Sequence, residues 1–214
     1  MNKDNKEISK ATLNRLPSYL KYLYQLDKLN VATVSSTTIA NGLNLNPVQV
    51  RKDIALVSSV AGKPKMGYVT KEIIADLESF LGYNNTHDAI LVGVGGLGKA
   101  FLGYGGFDNY GLNIVAAFDN NDRIINTKIN GKPVYDVAKL KEIVERFNIQ
   151  IGIITVPSYA AQEVADRMVN AGIKAIWNFA SVHLNIPSNI ALKNEDLASS
   201  LALLSLQIQQ NRNE

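Results

Sequence analysis

The sequence contains no cysteine and only two histidines, His87 and His183, which lie far apart. Without thiols the chain can hold neither a disulfide framework nor a thiolate site. Neither histidine has a partner at a spacing typical of metal ligands. The sequence therefore predicts no metal site.

Long apolar runs are missing as well. No stretch approaches the ~18 consecutive apolar residues of a membrane-spanning helix, and the polar N-terminus shows no apolar signal region. Hydrophobic residues make up 46% of the chain and charged residues 19%, which is ordinary for a globular protein. We therefore expect a soluble, cytoplasmic protein with no membrane partner.

Acidic residues are scarce in the first third of the chain. Residues 1–71 carry eleven Lys or Arg against four Asp or Glu, a net charge of +7, while the remainder carries a net charge of −4. A basic block ahead of a mildly acidic remainder indicates a polyanionic partner for the N-terminus. Charge alone leaves open the alternative that this surface only favours solubility.

The basic block also has the pattern of a helix-turn-helix. Apolar residues at helical spacing predict an amphipathic helix over about residues 12–29. Ser36 is placed to cap a short helix over residues 37–43, and Asn46 to cap another that ends at about Val57. Two short helices joined by a tight turn after a longer helix are typical of DNA-binding helix-turn-helix domains.

Candidate DNA-binding side chains accompany this pattern. They are Gln49, Arg51, Lys52, Lys63 and Lys65. The first three fall on the outward half of the last short helix, where Arg and Gln can form bidentate hydrogen bonds with base edges. The two later lysines belong to a glycine-rich segment, residues 58–69, that resembles a hairpin wing and suits DNA phosphates. We therefore predict a winged-helix DNA-binding domain over residues 1–84.

A glycine-rich turn between two apolar runs is the most informative motif. Apolar residues 89–92 lead into Gly93, Gly95 and Gly98 at G-x-G-x-x-G spacing, and a second apolar run ends at Asp119, about twenty residues later. In dinucleotide-binding units these glycines permit a tight turn, the approach of a pyrophosphate and close packing of helix on sheet. Asp119 is placed to accept hydrogen bonds from a ribose diol. The alternative is a glycine-rich turn that binds no ligand, and the two flanking apolar runs together with Asp119 favour the nucleotide site over it.

Helices and strands alternate beyond this motif. The pattern predicts helices over residues 136–147 and 158–172, and strands over residues 149–155 and 173–177. Near-continuous apolar strands that alternate with helices indicate a doubly wound parallel sheet, so the predicted fold class is α/β. We expect this Rossmann-type domain to span residues 85–192.

A further helix is predicted over about residues 194–210, beyond what a compact nucleotide-binding fold needs. Its apolar stripe is formed by Leu197, Leu201, Leu204 and Ile208. Such a stripe must be covered, either as an arm between subunits or by packing on its own domain.

The nucleotide motif comes without an evident proton donor for hydride transfer. Tyr135 and Lys139 have the Tyr-x-x-x-Lys spacing of some dehydrogenases but open a peripheral helix. Tyr104 near the glycine turn could stack on a nicotinamide, but no lysine follows four residues later, and His183 stands alone. The residues favour cofactor binding without turnover, and we predict no catalytic residue.

The chain resembles the Rex family of redox-sensing transcriptional repressors from about Lys10 to Gln209. The motifs that carry the resemblance are Arg15-Leu16-Pro17-Ser18-Tyr19, Val50-Arg51-Lys52-Asp53, residues 92–98, Ala117-Phe118-Asp119, Val156-Pro157 with residues 161–166, Ala171-Gly172-Ile173-Lys174 and Asn178-Phe179-Ala180. Rex-like proteins are homodimers with a winged helix, a Rossmann domain and a domain-swapped C-terminal helix, here residues 193–214. The resemblance implies double-stranded operator DNA as partner, NAD⁺ and NADH competing for one site, and release of the operator by NADH.

The resemblance also assigns roles residue by residue. The implied cofactor-binding residues are Gly93, Val94, Gly95, Gly96, Leu97, Gly98, Tyr104, Asp119, Val156, Pro157, Asn178, Phe179 and Ala180. Among these, the glycine turn cradles the pyrophosphate, Asp119 holds the adenosine ribose and Tyr104 lies near the nicotinamide. Asp196 on the swapped helix is implied to engage Tyr104 and Lys21 as a switch.

Some residues depart from the family pattern. Lys21 stands where the family usually has arginine, so a bidentate clamp becomes a point charge. The stretch after Asp53 differs in the wing, with one residue inserted, and Gly105 and Ser181 replace usual prolines. These changes bear on operator sequence, switch coupling and redox discrimination.

The sequence thus predicts a dimeric DNA-binding repressor that senses the NADH/NAD⁺ ratio. A small NAD-dependent oxidoreductase with an N-terminal assembly domain is the alternative, and a third interpretation places another adenine nucleotide, such as coenzyme A, on the same phosphate loop. The missing proton donor favours the repressor over the enzyme. Asp119 at the ribose position favours NAD(H) over coenzyme A.

Overall fold

The computed structural model describes residues 8–59, 62, 67–83 and 87–210. The chain divides into two compact units, residues 1–85 and residues 86–214. None of the described helices is long and apolar enough to cross a bilayer.

The described part of the first unit holds four helices and a two-stranded sheet. In chain order these are α1 (Lys10–Lys28), β1 (Thr33–Val34), α2 (Ser36–Leu43), α3 (Pro47–Val57), β2 (Tyr68–Val69) and α4 (Thr70–Leu81). Buried apolar side chains from all four helices form one core, and β1 pairs antiparallel with β2. The predicted winged-helix architecture is confirmed.

Local capping fixes the helix-turn-helix. The cap of α2 is Ser35 rather than the predicted Ser36, and its hydroxyl accepts a hydrogen bond from the N–H of Thr38 at 2.9 Å. Asn44 ends α2 in the left-handed conformation, with φ 53°. Asn46 caps α3, as predicted, by accepting two backbone N–H groups of the first turn. The wing lysines Lys63 and Lys65 lie outside the described residues.

The described part of the second unit is a seven-stranded sheet with helices. Its elements are β3 (His87–Val92), α5 (Gly96–Gly103), β4 (Leu112–Asp119), β5 (Lys128–Ile129), β6 (Lys132–Asp136), α6 (Leu140–Phe147), β7 (Ile151–Ile154), α7 (Ser158–Asn170), β8 (Ala175–Asn178), β9 (Ala191–Asn194) and α8 (Leu197–Gln210), with short 3₁₀ helices at Gly105–Tyr110 and Val137–Lys139. Side chains of β3 alternate between two cores. Ile90 and Val92 pack in the core that includes α6 and α7, and Ala89 and Leu91 in the core that includes α5.

The strand order places a crevice at the middle of the sheet. The order is β5-β6-β4-β3-β7-β8-β9, and all neighbouring pairs are parallel except β5 with β6. Counted from β3 and without β5, this is the order 3-2-1-4-5-6 of the Rossmann fold. The order reverses between β3 and β7, and ligands bind such sheets at the carboxyl ends of the strands beside that point. The predicted doubly wound α/β fold is confirmed.

The C-terminal helix begins at Leu197, three residues later than predicted. Four of its apolar side chains are more than half exposed, namely Leu201, Leu204, Leu206 and Ile208. The single chain therefore does not cover them. Exchange of α8 between subunits involves a second copy of the chain and stays a prediction.

Candidate functional site

A cleft of about 620 Å³ opens at the carboxyl ends of β3, β4 and β7. Six predicted cofactor residues line it, namely Gly93, Val94, Gly95, Asp119, Val156 and Pro157. The remaining predicted residues, which lie on or just after α5 and at the end of β8, do not line this cleft. The cleft occupies the switch point of the sheet, where the fold places a nucleotide.

The glycine turn is open where a phosphate would lie and closed where the helix meets the strand. A Cβ atom at Gly95 or Gly96 would have nothing within 4 Å, whereas one at Gly98 would lie 2.1 Å from the carbonyl oxygen of Gly93. Gly93 has φ +101°, and a Cβ there would lie 2.7 Å from the backbone nitrogen of Val156. The turn therefore needs glycine at both closed positions and leaves the first N–H groups of α5 available to an anion.

Asp119 is held by the backbone around it. Its Oδ2 accepts the N–H of Val94 at 2.6 Å, and its Oδ1 accepts the N–H groups of Asn120 at 2.8 Å and Asn121 at 2.9 Å. A carboxylate offers about four acceptor positions. The three bonds fix the orientation of the carboxylate at the cleft and leave capacity for one ribose hydroxyl.

Thr155, which the sequence analysis missed, supports the glycine turn from β7. Its hydroxyl donates to the carbonyl oxygen of Gly93 at 2.6 Å, and the residue lines the cleft. The available signal was a hydroxyl residue at the carboxyl end of a buried strand, directly before Val156 and Pro157.

Asn178 shapes the loop at the end of β8. It is fully buried, and its Nδ2 donates to the carbonyl oxygens of Ala180 at 3.1 Å and Val182 at 3.2 Å and to Oδ1 of Asn194 at 2.9 Å. Its Oδ1 accepts the N–H of Ala180 at 3.0 Å. The amide is thus committed within the protein, so a role for Asn178 at the nicotinamide end would act through the shape of this loop.

Aromatic rings gather between this loop and α5. Phe179 lies edge-on to Phe101, with ring centroids 4.7 Å apart, and Tyr104 lies edge-on to Phe107 at 4.9 Å. Tyr104 is 57% exposed, so much of its side chain remains open to a ligand.

A buried carboxylate joins α1 to α3 in the first unit. Asp53 is 1% exposed and forms a bidentate pair with Arg15, with Nε to Oδ2 at 2.8 Å and Nη2 to Oδ1 at 3.1 Å. It also accepts the hydroxyls of Tyr19 at 2.7 Å and Thr12 at 3.2 Å, and Nε2 of Gln49 at 2.9 Å. These contacts fix the predicted DNA-reading helix on α1.

The same contacts set the charge of this network. Burial by itself raises the pKa of Asp53, but hydrogen bonds from Arg15, Tyr19 and Gln49 outweigh burial and lower it. Burial, followed by the hydrogen bond to Asp53, raises the pKa of Tyr19 to about 12. At neutral pH the carboxylate is therefore ionised and the phenol remains a donor.

The predicted DNA-reading side chains of α3 differ in whether they are already bound within the protein. Arg51 and Lys52 are exposed on α3. Gln49 is exposed too, but its amide nitrogen is committed to Asp53. Arg51 and Lys52 are therefore freer than Gln49 to meet a partner.

The three predicted switch residues are distributed over both units. Lys21 is exposed on α1, and Tyr104 follows α5. Asp196 accepts the N–H of Ser199 at 3.1 Å and so caps α8 in the single chain. Their predicted contact involves a second copy of the chain.

Family models match both units. Residues 84–182 match a model described as "CoA binding domain", and residues 7–55 match one described as "Putative DNA-binding protein N-terminus".

Individual relatives and solved structures match nearly the whole chain. Proteins named redox-sensing transcriptional repressor Rex are 42% identical in Treponema denticola, over 91% of this chain and 92% of the relative, and 41% identical in Carboxydothermus hydrogenoformans, over 96% and 98%. The Rex-family repressor RSP has been solved with β-NAD⁺ and operator DNA (TM-score 0.91, 35% identity, 97% of this chain and 95% of that chain) and with β-NADH (0.88, 34%, 97% and 97%). On this likeness in both sequence and structure, the chain belongs to the Rex family of redox-sensing transcriptional repressors.

Proposed function

We propose that this protein is a DNA-binding transcriptional repressor of the cytoplasm that senses the NADH/NAD⁺ ratio and leaves its operator when NADH binds. The observation that carries the proposal is that one chain combines two features. These are a Rossmann cleft lined by Asp119 and a winged helix with exposed basic side chains on α3. A Rex-family repressor of the same fold has been solved with β-NAD⁺ and operator DNA and with β-NADH.

The oxidoreductase alternative has less support. Tyr135 packs against the core beside the sheet, Lys139 closes a short 3₁₀ helix, and His183 is exposed and does not line the cleft. Curated relatives at about two-fifths identity are named repressors. NAD(H) would thus bind as an effector whose redox state is sensed, and not as the cofactor of a hydride-transfer reaction.

The geometry supports a specific placement of the cofactor. The open backbone at Gly95 and Gly96 fits a pyrophosphate, and Asp119 has acceptor capacity for the adenosine ribose. Tyr104 and the loop at residues 178–180 would border the nicotinamide.

Sensing requires that NADH bind one dimer shape better than the other, because equal binding to both shifts nothing. We propose a homodimer in which Asp196 of the partner subunit meets Lys21 and Tyr104. This contact would differ between the two dimer shapes. Lysine makes a single hydrated charge contact there rather than an arginine fork.

Operator binding with NAD⁺ and NADH in parallel tests the function. The probe is a set of duplexes that the protein itself selects from a random-sequence library in the presence of NAD⁺. NADH is expected to weaken binding to these duplexes by roughly 5–150-fold relative to NAD⁺, the usual range of allosteric coupling. Equal affinities with the two cofactors would contradict the proposal.

Asp119 should make the cleft select NADH over NADPH. The carboxylate repels a 2′-phosphate and accepts a 2′-hydroxyl, so NADH is expected to bind roughly tenfold tighter or more. Asp119→Asn should narrow that preference, while Asp122→Asn, an exposed neighbour that does not line the cleft, should not. Calorimetry with NADH, NADPH and coenzyme A measures this, and tighter binding of NADPH or coenzyme A would overturn the assignment.

Arg51 should read bases rather than only hold phosphates. Arg51→Ala is expected to cost about 1–3 kcal/mol of binding to the selected duplex, with little change on random DNA or in NADH affinity. Lys63→Ala, in the predicted wing, should instead weaken all DNA binding and flatten its salt dependence. An unchanged preference for the selected duplex in the Arg51 variant would exclude Arg51 as a reader.

A further inference from the structure

Hydrogen bonds join the end of β8 to the chain that follows β9. Trp177 Nε1 donates to Oε1 of Glu195 at 3.1 Å, the N–H of Glu195 donates to the carbonyl oxygen of Asn178 at 2.8 Å, and Asn178 Nδ2 donates to Oδ1 of Asn194 at 2.9 Å. We call these four residues the arm clasp. Because β8 and β9 are already paired, the clasp extends their contact past the last paired residues.

On one side the clasp is continuous with the aromatic rings near the proposed nicotinamide end. The ring centroid of Trp177 lies 4.7 Å from that of Phe179 and 6.0 Å from that of Phe107. Phe107 in turn lies edge-on to Tyr104, with ring centroids 4.9 Å apart. A packed ring does not shift without displacing its neighbours, so a shift of Phe179 acts on Trp177 directly, while a shift of the more exposed Tyr104 acts on it through Phe107.

On the other side the clasp ends where α8 begins. Glu195 lies two residues before the first residue of α8. Leu201, Leu204, Leu206 and Ile208 of α8 are exposed in the single chain, so the direction in which this helix leaves the domain decides where they can be covered. The arm clasp therefore fixes the position from which α8, the proposed dimerisation helix, leaves the domain.

We infer that Trp177 is a positioning residue that, through its hydrogen bond to Glu195, couples the nicotinamide end of the site to the C-terminal helix. This inference rests on the proposed function and names the route by which the cofactor would act on the dimer. A simpler role, in which the bond only stabilises the edge strand β9, predicts a different result in the same experiment.

The experiment compares three full-length variants. Glu195→Ala removes the acceptor, Glu195→Gln keeps an oxygen at the same place without the charge, and Lys193→Ala is the matched control. Lys193 forms only a 3.8 Å ion pair with Glu195, so its removal leaves the bond to Trp177 intact. For each protein, the measurements are NADH affinity, thermal stability and the ratio of operator affinities without and with saturating NADH, on the self-selected duplexes.

Trp177 also reports on the bond directly. It is the only tryptophan of the chain, so protein emission is its own. Emission should change in Glu195→Ala and stay near that of the wild type in Glu195→Gln and Lys193→Ala.

Glu195→Ala is expected to lower the operator ratio by roughly 3–30-fold, the range of coupling changes along such contacts, with NADH affinity changed less than the ratio. Glu195→Gln keeps an acceptor oxygen for Trp177 and should retain the wild-type ratio of operator affinities. If Glu195→Ala does not fold, Trp177→Phe removes the donor, keeps an aromatic ring and should give the same loss.

Two results would overturn the inference and are distinguishable. A wild type whose operator affinity ignores NADH overturns the proposed function and this inference with it. If NADH changes the operator affinity of the wild type and of the folded Glu195→Ala and Trp177→Phe variants equally, the inference alone is overturned. Lower thermal stability in those variants would then show that the bond only stabilises β9.

Discussion

Replacing Asp53 by alanine is expected to lower the free energy of unfolding of the first unit by about 3 kcal/mol, because removing one partner of a buried ion pair leaves the other groups unsatisfied. Tyr19 and Thr12 are buried and would lose their acceptor, while Arg15 is 26% exposed and could still reach water. Operator binding should fall with stability, since α3 would lose its polar contacts with α1 and keep only its packing in the shared core.

Hydrogen exchange of the α1 and α3 amides measures this effect within the intact protein. Glu72→Ala is the matched control, because Glu72 is an exposed carboxylate in the first turn of α4 and should contribute less than about 1 kcal/mol. Equal protection in the two variants would show that the Asp53 network does not hold the unit together.

The same carboxylate predicts an acid limit. The folded pKa of Asp53 is lowered, so its stabilisation is complete above the unfolded value of about 3.9 and is lost as pH falls through the folded pKa. Protection of α1 and α3 should therefore persist down to about pH 4 and decline below it. Asp53→Asn should make that decline shallower, and an unchanged profile would contradict the lowered pKa.

Removing residues 197–214 is expected to convert the proposed homodimer to a monomer and to weaken operator binding by roughly 10²–10⁴-fold, because a monomer engages one half-site without the avidity of two. The reason is α8, where Leu201 is 65% exposed and Leu204, Leu206 and Ile208 are also more than half exposed. Because these side chains are only about 54–65% exposed, covering each of them stabilises an assembly by about 1–2 kcal/mol.

The cut belongs after Asp196. A cut at Leu192 would remove half of β9, which pairs with β8, and would confuse assembly with folding. Sedimentation gives the oligomeric state, and removal of residues 211–214 alone serves as the control that should leave the dimer intact. A folded dimer without residues 197–214 would assign the interface elsewhere.

The parts of the fold that could be predicted from the sequence are those with local causes. The glycine turn needs positive φ at Gly93 and close packing at Gly98, and both needs are written in the residues themselves. The missed hairpin of β5 and β6 also had a local signal, since its turn is Asn130-Gly131 with positive φ at both residues. The missed β9 had none, because it is a short, mostly exposed edge strand that forms through pairing with β8.

The Asp53 network shows what a single sequence hides. Arg15, Tyr19 and Asp53 all lie in motifs that carry the family resemblance, yet 34 residues or more separate Asp53 from its two partners. Helical periodicity places apolar residues inward and gives no reason to place a carboxylate there. Gln49 stays a predicted DNA contact and is exposed, but periodicity could not show that its amide nitrogen binds Asp53.

The most direct test of the account holds the total concentration of NAD(H) constant and varies only the NADH/NAD⁺ ratio, while the fraction of selected duplex bound by the wild-type protein is measured. Bound DNA is expected to fall as the ratio rises, and doubling the total NAD(H) concentration at a fixed ratio, with the site saturated, should leave the bound fraction unchanged. Binding that is indifferent to the ratio would contradict the account.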